Sequence, residues 1–171
     1  PRHPAERIAG VVKAARARVG LTDGSVQIPD ADLDWLRLDA DGAAKLRARE
    51  RRRSPAIRRP VNPDDGAYMI FTSGSTGVPK GVLVTHRGLA GVAAVLRDRH
   101  GSGPSSRWLG ISSPAFDAAI LEVLGAYGSA ATLVVVPPEV YGGRELAEFI
   151  AEHRTTHAFL VTSVAASLPD P

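Results

Sequence analysis

The feature that most constrains the fold of this sequence is a regular alternation, from Ala67 onward, of short apolar runs with segments of helical period. Apolar runs of this length, rich in β-branched residues, are typical of buried strands, whereas apolar residues spaced three and four apart indicate helices. The helical segments are marked by Leu89 and Leu96, by Ile120 and Leu124, and by Leu146 and Ile150. The predicted strands are Tyr68–Thr72, Trp108–Ser112, Ala131–Val136 and Ala158–Thr162.

This alternation predicts an α/β fold. Strands that alternate with helices form βαβ units, and near-continuous apolar strands fit a mainly parallel sheet covered by helices on both faces. In such sheets, ligands bind in the crevice beyond the carboxyl ends of the strands. The segments that directly follow each strand are therefore the first place to search for function.

The first third of the chain has a weaker pattern. Apolar residues at helical spacing predict a helix over Pro4–Ala17, followed by a short strand at Val19–Thr22. A second strand is predicted at Leu33–Leu38 and a polar helix at Ala43–Arg53.

Composition excludes several classes of protein. The 171 residues are 44% hydrophobic and 23% charged, which is ordinary for a globular domain. Cysteine is absent, which excludes disulfide scaffolds, thiolate nucleophiles and cysteine-ligated metals. The longest run without a charged residue, Val123–Pro138, has 16 residues and is too short for a membrane-spanning helix. We expect a cytoplasmic protein with no membrane partner.

Positive charge is concentrated in residues 44–60, which carry eight Lys or Arg and one Glu. A nucleic-acid-binding arm would have such a charge, but the segment has no aromatic residue on which bases could stack. Pro55 and Pro60 lie within this segment, and Pro63 lies just after it. We therefore interpret residues 44–63 as a solvated, linker-like segment and expect no nucleic-acid partner.

The loop that follows the strand Tyr68–Thr72 has the composition of a phosphate-binding site. Its ten residues, 72–81, include three glycines, four hydroxyl side chains and Lys80. Glycine lets backbone amides approach a ligand closely, hydroxyls donate to phosphate oxygens, and lysine supplies a compact positive charge. An ordinary Gly/Ser-rich turn is the alternative. The Walker A pattern fails because Gly81 follows the lysine, and the apolar run after it predicts a loop between two strands.

Two segments carry a resemblance to a known family. Residues 68–89, YMIFTSGSTGVPKGVLVTHRGL, resemble the phosphate-loop signature of adenylate-forming enzymes, specifically the adenylation domains of nonribosomal peptide synthetases. Residues 113–122, SPAFDAAILE, together with 131–135, resemble the next core motif of that family. The opening residues 1–8 are similar to a segment that follows an earlier motif. The resemblance implies that residues 1–171 are part of the large N-terminal subdomain of such an enzyme.

The resemblance also implies an activity. Adenylation domains use ATP, with Mg²⁺, to convert an amino acid to an aminoacyl adenylate with release of pyrophosphate. They then pass the acyl group to the phosphopantetheine of a peptidyl carrier protein. Lys80 and Thr76 would be the catalytic residues, and no residue here is assigned to the metal. The residues that would hold the ATP phosphates are Thr72, Ser73, Gly74, Ser75, Thr76, Gly77 and Lys80.

The same resemblance places the amino acid substrate. Asp117 corresponds to the aspartate that pairs with the substrate α-ammonium group, although its position also fits a helix N-cap. Ala118, Leu121 and Phe159 align with residues that line the side-chain pocket, which implies an apolar substrate side chain. All three residues could instead be ordinary residues of the hydrophobic core, and this alternative is strongest for Phe159. His86 matches a motif position but also fits a structural role, as do Glu122 and Tyr127.

The sequence departs from the family pattern at Ala130, where glycine is usual. The adenine- and ribose-binding motifs would lie beyond Pro171, so we expect the chain to be an inactive fragment by itself. An acyl-CoA or aryl-acid ligase of the same superfamily is an alternative function, disfavoured because such substrates offer Asp117 no amine. A basic module that binds nucleic acid or a partner protein is an alternative from a different class.

Overall fold

The computed structural model describes residues 4–25, 33–39, 42, 60–72 and 79–169. It divides into two compact units, Pro1–Val84 and Thr85–Pro171. The predicted helix at Ala43–Arg53 lies outside the described residues, as does nearly all of the linker-like segment 44–63.

The described elements of the first unit include a helix near its start and two small sheets. Helix α1 is Ala5–Ala15, which confirms the predicted helix to within two residues. The strands of the first sheet, β1 (Val19–Thr22) and β2 (Asp34–Arg37), pair in parallel, with Val19 opposite Asp34. The second sheet pairs β3 (Gly66–Thr72) with β4 (Lys80–Thr85).

The second unit contains the βαβ arrangement that the sequence predicts. Strands β5 and β6 pair in parallel, from Arg107 opposite Thr132 to Gly110 opposite Val135, and helix α3 connects them. A short 3-10 turn, His86–Gly88, opens the unit. Its elements are α2 (Leu89–His100), β5 (Arg107–Gly110), α3 (Asp117–Tyr127), β6 (Thr132–Val135), α4 (Gly143–Glu152) and α5 (Thr162–Ala165).

The predicted strand at Ala158–Thr162 is wrong. Pairing with β5 is limited to a parallel bridge between Trp108 and His157, and helix α5 begins at Thr162. The amide of Leu109 donates to the carbonyl oxygen of His157 at 2.8 Å. The chain then leaves the sheet, because residues 158–161 lead directly into α5. A short apolar run does not by itself distinguish a strand from such a connection.

Two hydrophobic clusters lie on opposite faces of β5. Trp108 packs with Leu96 and Ala126, whereas the next residue, Leu109, packs with Val136 and Leu146. Successive side chains of a strand point to opposite faces, so helices α2 and α3 cover one face and α4 covers the other. This confirms the prediction of a sheet covered on both faces.

Trp108 is fixed by hydrogen bonds as well as by packing. Its indole Nε1 donates to Ser102 Oγ at 2.8 Å, and Ser102 Oγ donates to the carbonyl oxygen of Gly125 at 3.0 Å. A Cβ atom on Gly125 would lie 2.5 Å from the Trp108 ring. Glycine at this position therefore lets α3 pack closely against β5. Among the described helices, the longest has 12 residues and none has the length and apolarity to cross a membrane.

Ala130 lies in a helix-ending motif that usually requires glycine. After α3, the amide of Ala131 donates to the carbonyl oxygen of Ala126 at 2.7 Å, and that of Ala130 donates to Tyr127 at 3.3 Å. This is the bond pattern of a Schellman motif, in which the residue corresponding to Ala130 is left-handed. Its φ is 53°, a conformation that strains a residue with a Cβ atom. The departure from the family pattern thus leaves the turn intact but strained.

Substitution of Ala130 by glycine is expected to stabilise the protein. Relief of the left-handed strain outweighs the added freedom of the unfolded chain, for a net gain of about 0.5–1 kcal/mol in the free energy of unfolding. The matched control is Ala151→Gly in α4. It is expected to lower the free energy of unfolding by about 0.5–1 kcal/mol, because glycine in a helix loses more conformational freedom on folding and relieves no strain there. Denaturant unfolding of the two variants measures both values. A loss of stability in Ala130→Gly would contradict the strain.

Candidate functional site

The predicted phosphate loop joins two neighbouring strands. Strand β3 ends at Thr72 and β4 begins at Lys80, so both residues lie at the ends of the loop, and both are exposed. This confirms that the loop connects strands and does not lead into a helix. Residues 73–78, which include Ser73, Gly74, Ser75, Thr76 and Gly77, lie outside the described residues.

Gly81, directly after Lys80, leaves room for side chains of the facing strand. A Cβ atom at residue 81 would lie 2.7 Å from Met69 Sδ and 3.1 Å from Phe71 Cζ. At the other end of the pair, a Cβ atom on Gly66 would meet Leu83 at 2.8 Å. The early residues of β3 thus face the late residues of β4, so the pair is an antiparallel hairpin. The hairpin holds Thr72 and Lys80 at the same end.

A cleft of about 370 Å³ lies in the second unit, where β5 and β6 end. Its wall begins at Ile111, just beyond β5, and at Val136, just beyond β6. This is the crevice at the carboxyl ends of parallel strands in which the sequence predicts a ligand. The lining residues are Ile111, Ser112, Ser113, Phe116, Ala118, Val136, Pro137, Pro138, Val140, Tyr141, Phe159, Leu160, Val161 and Val164.

The structure brings together two of the residues predicted to contact the substrate side chain. Ala118, at the start of α3, and Phe159, which is 42% exposed, both line the cleft. Leu121 is not among the lining residues. It packs instead against the cluster formed by Leu96, Trp108 and Ala126. The lining is mostly apolar, as expected for a site that holds an apolar group.

Asp117 is the first residue of α3 and lies between two lining residues, Phe116 and Ala118. The N-cap position belongs to Phe116, and no side chain makes a cap hydrogen bond. Within the described part of the chain, the exposed Asp117 carboxylate has no hydrogen-bond or ion-pair partner. The partial positive charge at a helix N-terminus stabilises a carboxylate at this position. Because Phe116 occupies the N-cap position and no side chain makes a cap hydrogen bond, the interpretation of Asp117 as an N-cap is wrong.

Sequence reasoning missed the loop after β6. Pro137, Pro138 and Tyr141 line the cleft, and Tyr141 is 67% exposed. The signal that could have identified them was their position beyond the carboxyl end of a parallel strand. His86, by contrast, begins the 3-10 turn before α2, and the amide of Leu89 donates to its carbonyl oxygen.

The described residues contain no group of three His, Asp or Glu side chains that could hold a metal ion. A Mg²⁺ ion bound to ATP phosphates does not need such a group, because it keeps several waters and takes only one or two protein carboxylates. The described residues are therefore compatible with a metal that arrives with the nucleotide.

Comparison with known proteins identifies relatives along the whole chain. Residues 1–170 match the model of the AMP-binding enzyme family. A probable non-canonical nonribosomal peptide synthetase, CymA of Salinispora arenicola, is 43% identical over 170 residues, which are 97% of this chain and 2% of CymA. The chain spans between 2% and 16% of the length of the first curated relatives that it matches.

Solved structures share the fold. The N-terminal subdomain of NpsA from Klebsiella oxytoca, in complex with 3-hydroxybenzoyl-AMSN, matches with a TM-score of 0.74 and 28% identity. The match covers 93% of this chain and 38% of that one. The nonribosomal peptide synthetase FmoA3, with alpha-methyl-L-serine-AMP bound, matches with a TM-score of 0.70 and 33% identity over 91% of this chain and 17% of that one. These matches confirm the predicted α/β fold and its family.

Replacement of Asp117 by asparagine is expected to change stability very little. The carboxylate has no described partner, so the loss is limited to its interaction with the helix terminus, less than about 1 kcal/mol. Glu145→Gln, in the first turn of α4, is the matched control because it removes an acidic group from an equivalent position. Thermal unfolding of both variants tests this expectation. A much larger loss in Asp117→Asn than in Glu145→Gln would indicate a structural role for Asp117.

Proposed function

The chain belongs to the AMP-binding enzyme family, and we propose that it forms part of an adenylation domain that activates an amino acid for nonribosomal peptide synthesis. The observation that carries this proposal is the cleft beside Asp117, whose carboxylate has no partner among the described residues and lies between two lining residues. An ammonium group is the natural partner for such a carboxylate. The phosphate-loop sequence, residues 72–81, is proposed to handle the ATP in the same reaction.

The proposed reaction is transfer of an adenylyl group. A carboxylate oxygen of the amino acid forms a bond to the α-phosphorus of ATP, and the bond from that phosphorus to the bridging oxygen of pyrophosphate breaks. Negative charge develops on the leaving pyrophosphate. Lys80 and Thr76, with the other hydroxyls and amides of the loop, orient the β- and γ-phosphates and stabilise that charge. Mg²⁺, when bound with ATP, neutralises part of the phosphate charge.

The substrate is proposed to be an amino acid with an apolar side chain. Ala118 and Phe159 line the cleft together with valine, isoleucine and proline residues. An apolar side chain gains about 25 cal/mol for each Å² that such a lining removes from water. The α-ammonium group would pair with Asp117 at the rim.

The acyl group is proposed to pass to the phosphopantetheine thiol of a peptidyl carrier protein. The nonribosomal peptide synthetases among the relatives support this proposed step. The thiol attacks the acyl carbon of the adenylate and AMP leaves. A carrier domain is therefore the expected protein partner.

An aryl-acid ligase is a second candidate. The observation that favours it is the apolar cleft, together with the 28% identical NpsA subdomain that binds 3-hydroxybenzoyl-AMSN. An aryl acid without an amine would leave the Asp117 carboxylate without a counter-charge next to an apolar surface. The ammonium–carboxylate pair that only the amino acid can form therefore favours the amino acid.

Replacement of Lys80 by alanine tests the phosphate loop. In an adenylation domain that contains this chain, Lys80→Ala is expected to lower kcat/KM for ATP about 10–100-fold, because one charge-assisted contact with phosphate is lost. Lys13→Ala, an exposed lysine on α1, is the matched control and is expected to behave as wild type. ATP–pyrophosphate exchange measures both. Unchanged ATP kinetics in Lys80→Ala would refute the assigned role of this loop.

Replacement of Asp117 by asparagine separates the two candidate substrates. If the substrate is an amino acid, Asp117→Asn is expected to raise its KM at least about tenfold, because an ammonium–carboxylate pair is lost. ATP–pyrophosphate exchange by Asp117→Asn in the presence of aryl acids is expected to be as fast as in the wild type. Exchange assays with panels of amino acids and aryl acids measure both effects. Wild-type exchange with aryl acids alone would establish the second candidate.

A further inference from the structure

Glu122 is a carboxylate in the interior of the second unit. It lies on α3 and only 2% of its surface is exposed. The described residues offer it no ion-pair partner. Its hydrogen-bond donors are two backbone amides. The amide of Ser112 lies 3.1 Å from Oε1 and 3.3 Å from Oε2, and the amide of Ile111 lies 3.4 Å from Oε1.

The amides of Ile111 and Ser112 lie just beyond the last hydrogen bond between β5 and β6. The last ladder bond at this end runs from the amide of Val136 to the carbonyl oxygen of Gly110. Ile111 and Ser112 come next, and without Glu122 their amides would be left unpaired in a partly buried setting. A charged acceptor forms stronger bonds than a neutral one, which offsets the cost of burying the carboxylate. Glu122 thus extends the hydrogen bonding of β5 beyond its end.

The segment held by Glu122 is one wall of the cleft. Ile111 and Ser112 line the cleft, whereas Glu122 itself does not. Ala118 lies four residues before Glu122 and therefore on the same face of α3. The hydrogen bonds consequently tie one wall of the cleft to the helix that carries Ala118 and Asp117. The separation between the wall and the helix is set by the length of the Glu122 side chain.

We propose that Glu122 is a positioning residue that sets the width of the cleft and so the selectivity for the amino acid side chain. This inference rests on the proposed function and deepens it. Glu122 acts through the backbone of Ile111 and Ser112 and does not touch the substrate. Loosening this wall weakens amino acid binding and admits side chains of other sizes, while the handling of ATP is unchanged.

The test compares Glu122→Gln and Glu122→Leu in an adenylation domain that contains this chain. Gln keeps one oxygen acceptor, and Leu keeps the approximate size but no acceptor. The amino acid KM is expected to rise about fivefold in Glu122→Gln and about 30-fold in Glu122→Leu, because a charge-assisted bond is weakened or both bonds are lost. The difference in kcat/KM between amino acids with large and with small side chains is expected to decrease in Glu122→Gln and to decrease further in Glu122→Leu. The KM for ATP stays within about twofold of the wild-type value. Glu148→Gln, exposed on α4, is the matched control.

Hydrogen exchange tests the contact directly, without activity. The amides of Ile111 and Ser112 are expected to exchange faster in Glu122→Gln, whereas the amides of β6 keep their wild-type protection. Unchanged exchange at both amides, an unchanged amino acid KM in folded Glu122→Gln, or an equal rise in the KM for ATP would each overturn the proposal. Absence of ATP–pyrophosphate exchange in the wild-type domain with every amino acid tested would overturn the proposed function as well. This outcome distinguishes a failure of the proposed function from a failure of the role of Glu122.

Discussion

Parallel pairing of β5 with β6 is the constraint on which the second unit depends. Parallel neighbours cannot be joined by a tight turn, so the chain must cross over through a helix, and α3 is that helix. The pairing also brings both carboxyl ends to one edge, where Ile111 and Val136 begin the walls of the cleft. Because Trp108 and Leu109 face opposite sides, the same four-residue strand organises both hydrophobic clusters.

Helix α3 carries two carboxylates in opposite environments. Asp117 is exposed at the helix start, has no described partner and lies next to the cleft. Glu122 is buried and accepts hydrogen bonds from the wall of the cleft. The free energy of a carboxylate depends on what surrounds it, so only the first is available to a ligand cation. The position of a charged residue along one helix thus decides whether solvent or the protein backbone surrounds its carboxylate.

The sequence predicted the periodic parts of this structure and not the rest. Strand β1 was predicted at its observed bounds, and α3 was correctly expected between two parallel strands, because strands and helices differ in period. Pairing at His157 could not be predicted, since that polar residue joins the sheet through its backbone while its ring stacks on Trp108. Tyr141 at the cleft and the contact between Glu122 and Ser112 depend on tertiary geometry, which leaves no periodic signal.

The close approach of side chains to Gly81 limits the kind of loop that this hairpin can carry. A Walker A loop needs a hydroxyl-bearing residue after its lysine. Here a Cβ atom at that position would require the flexible end of the Met69 side chain to shift and the Phe71 ring to adjust slightly. A hydroxyl-bearing residue at position 81 would therefore require these side chains to move first. The side chains that face Gly81 from the neighbouring strand, and not the composition of the loop alone, therefore limit which residues can follow Lys80.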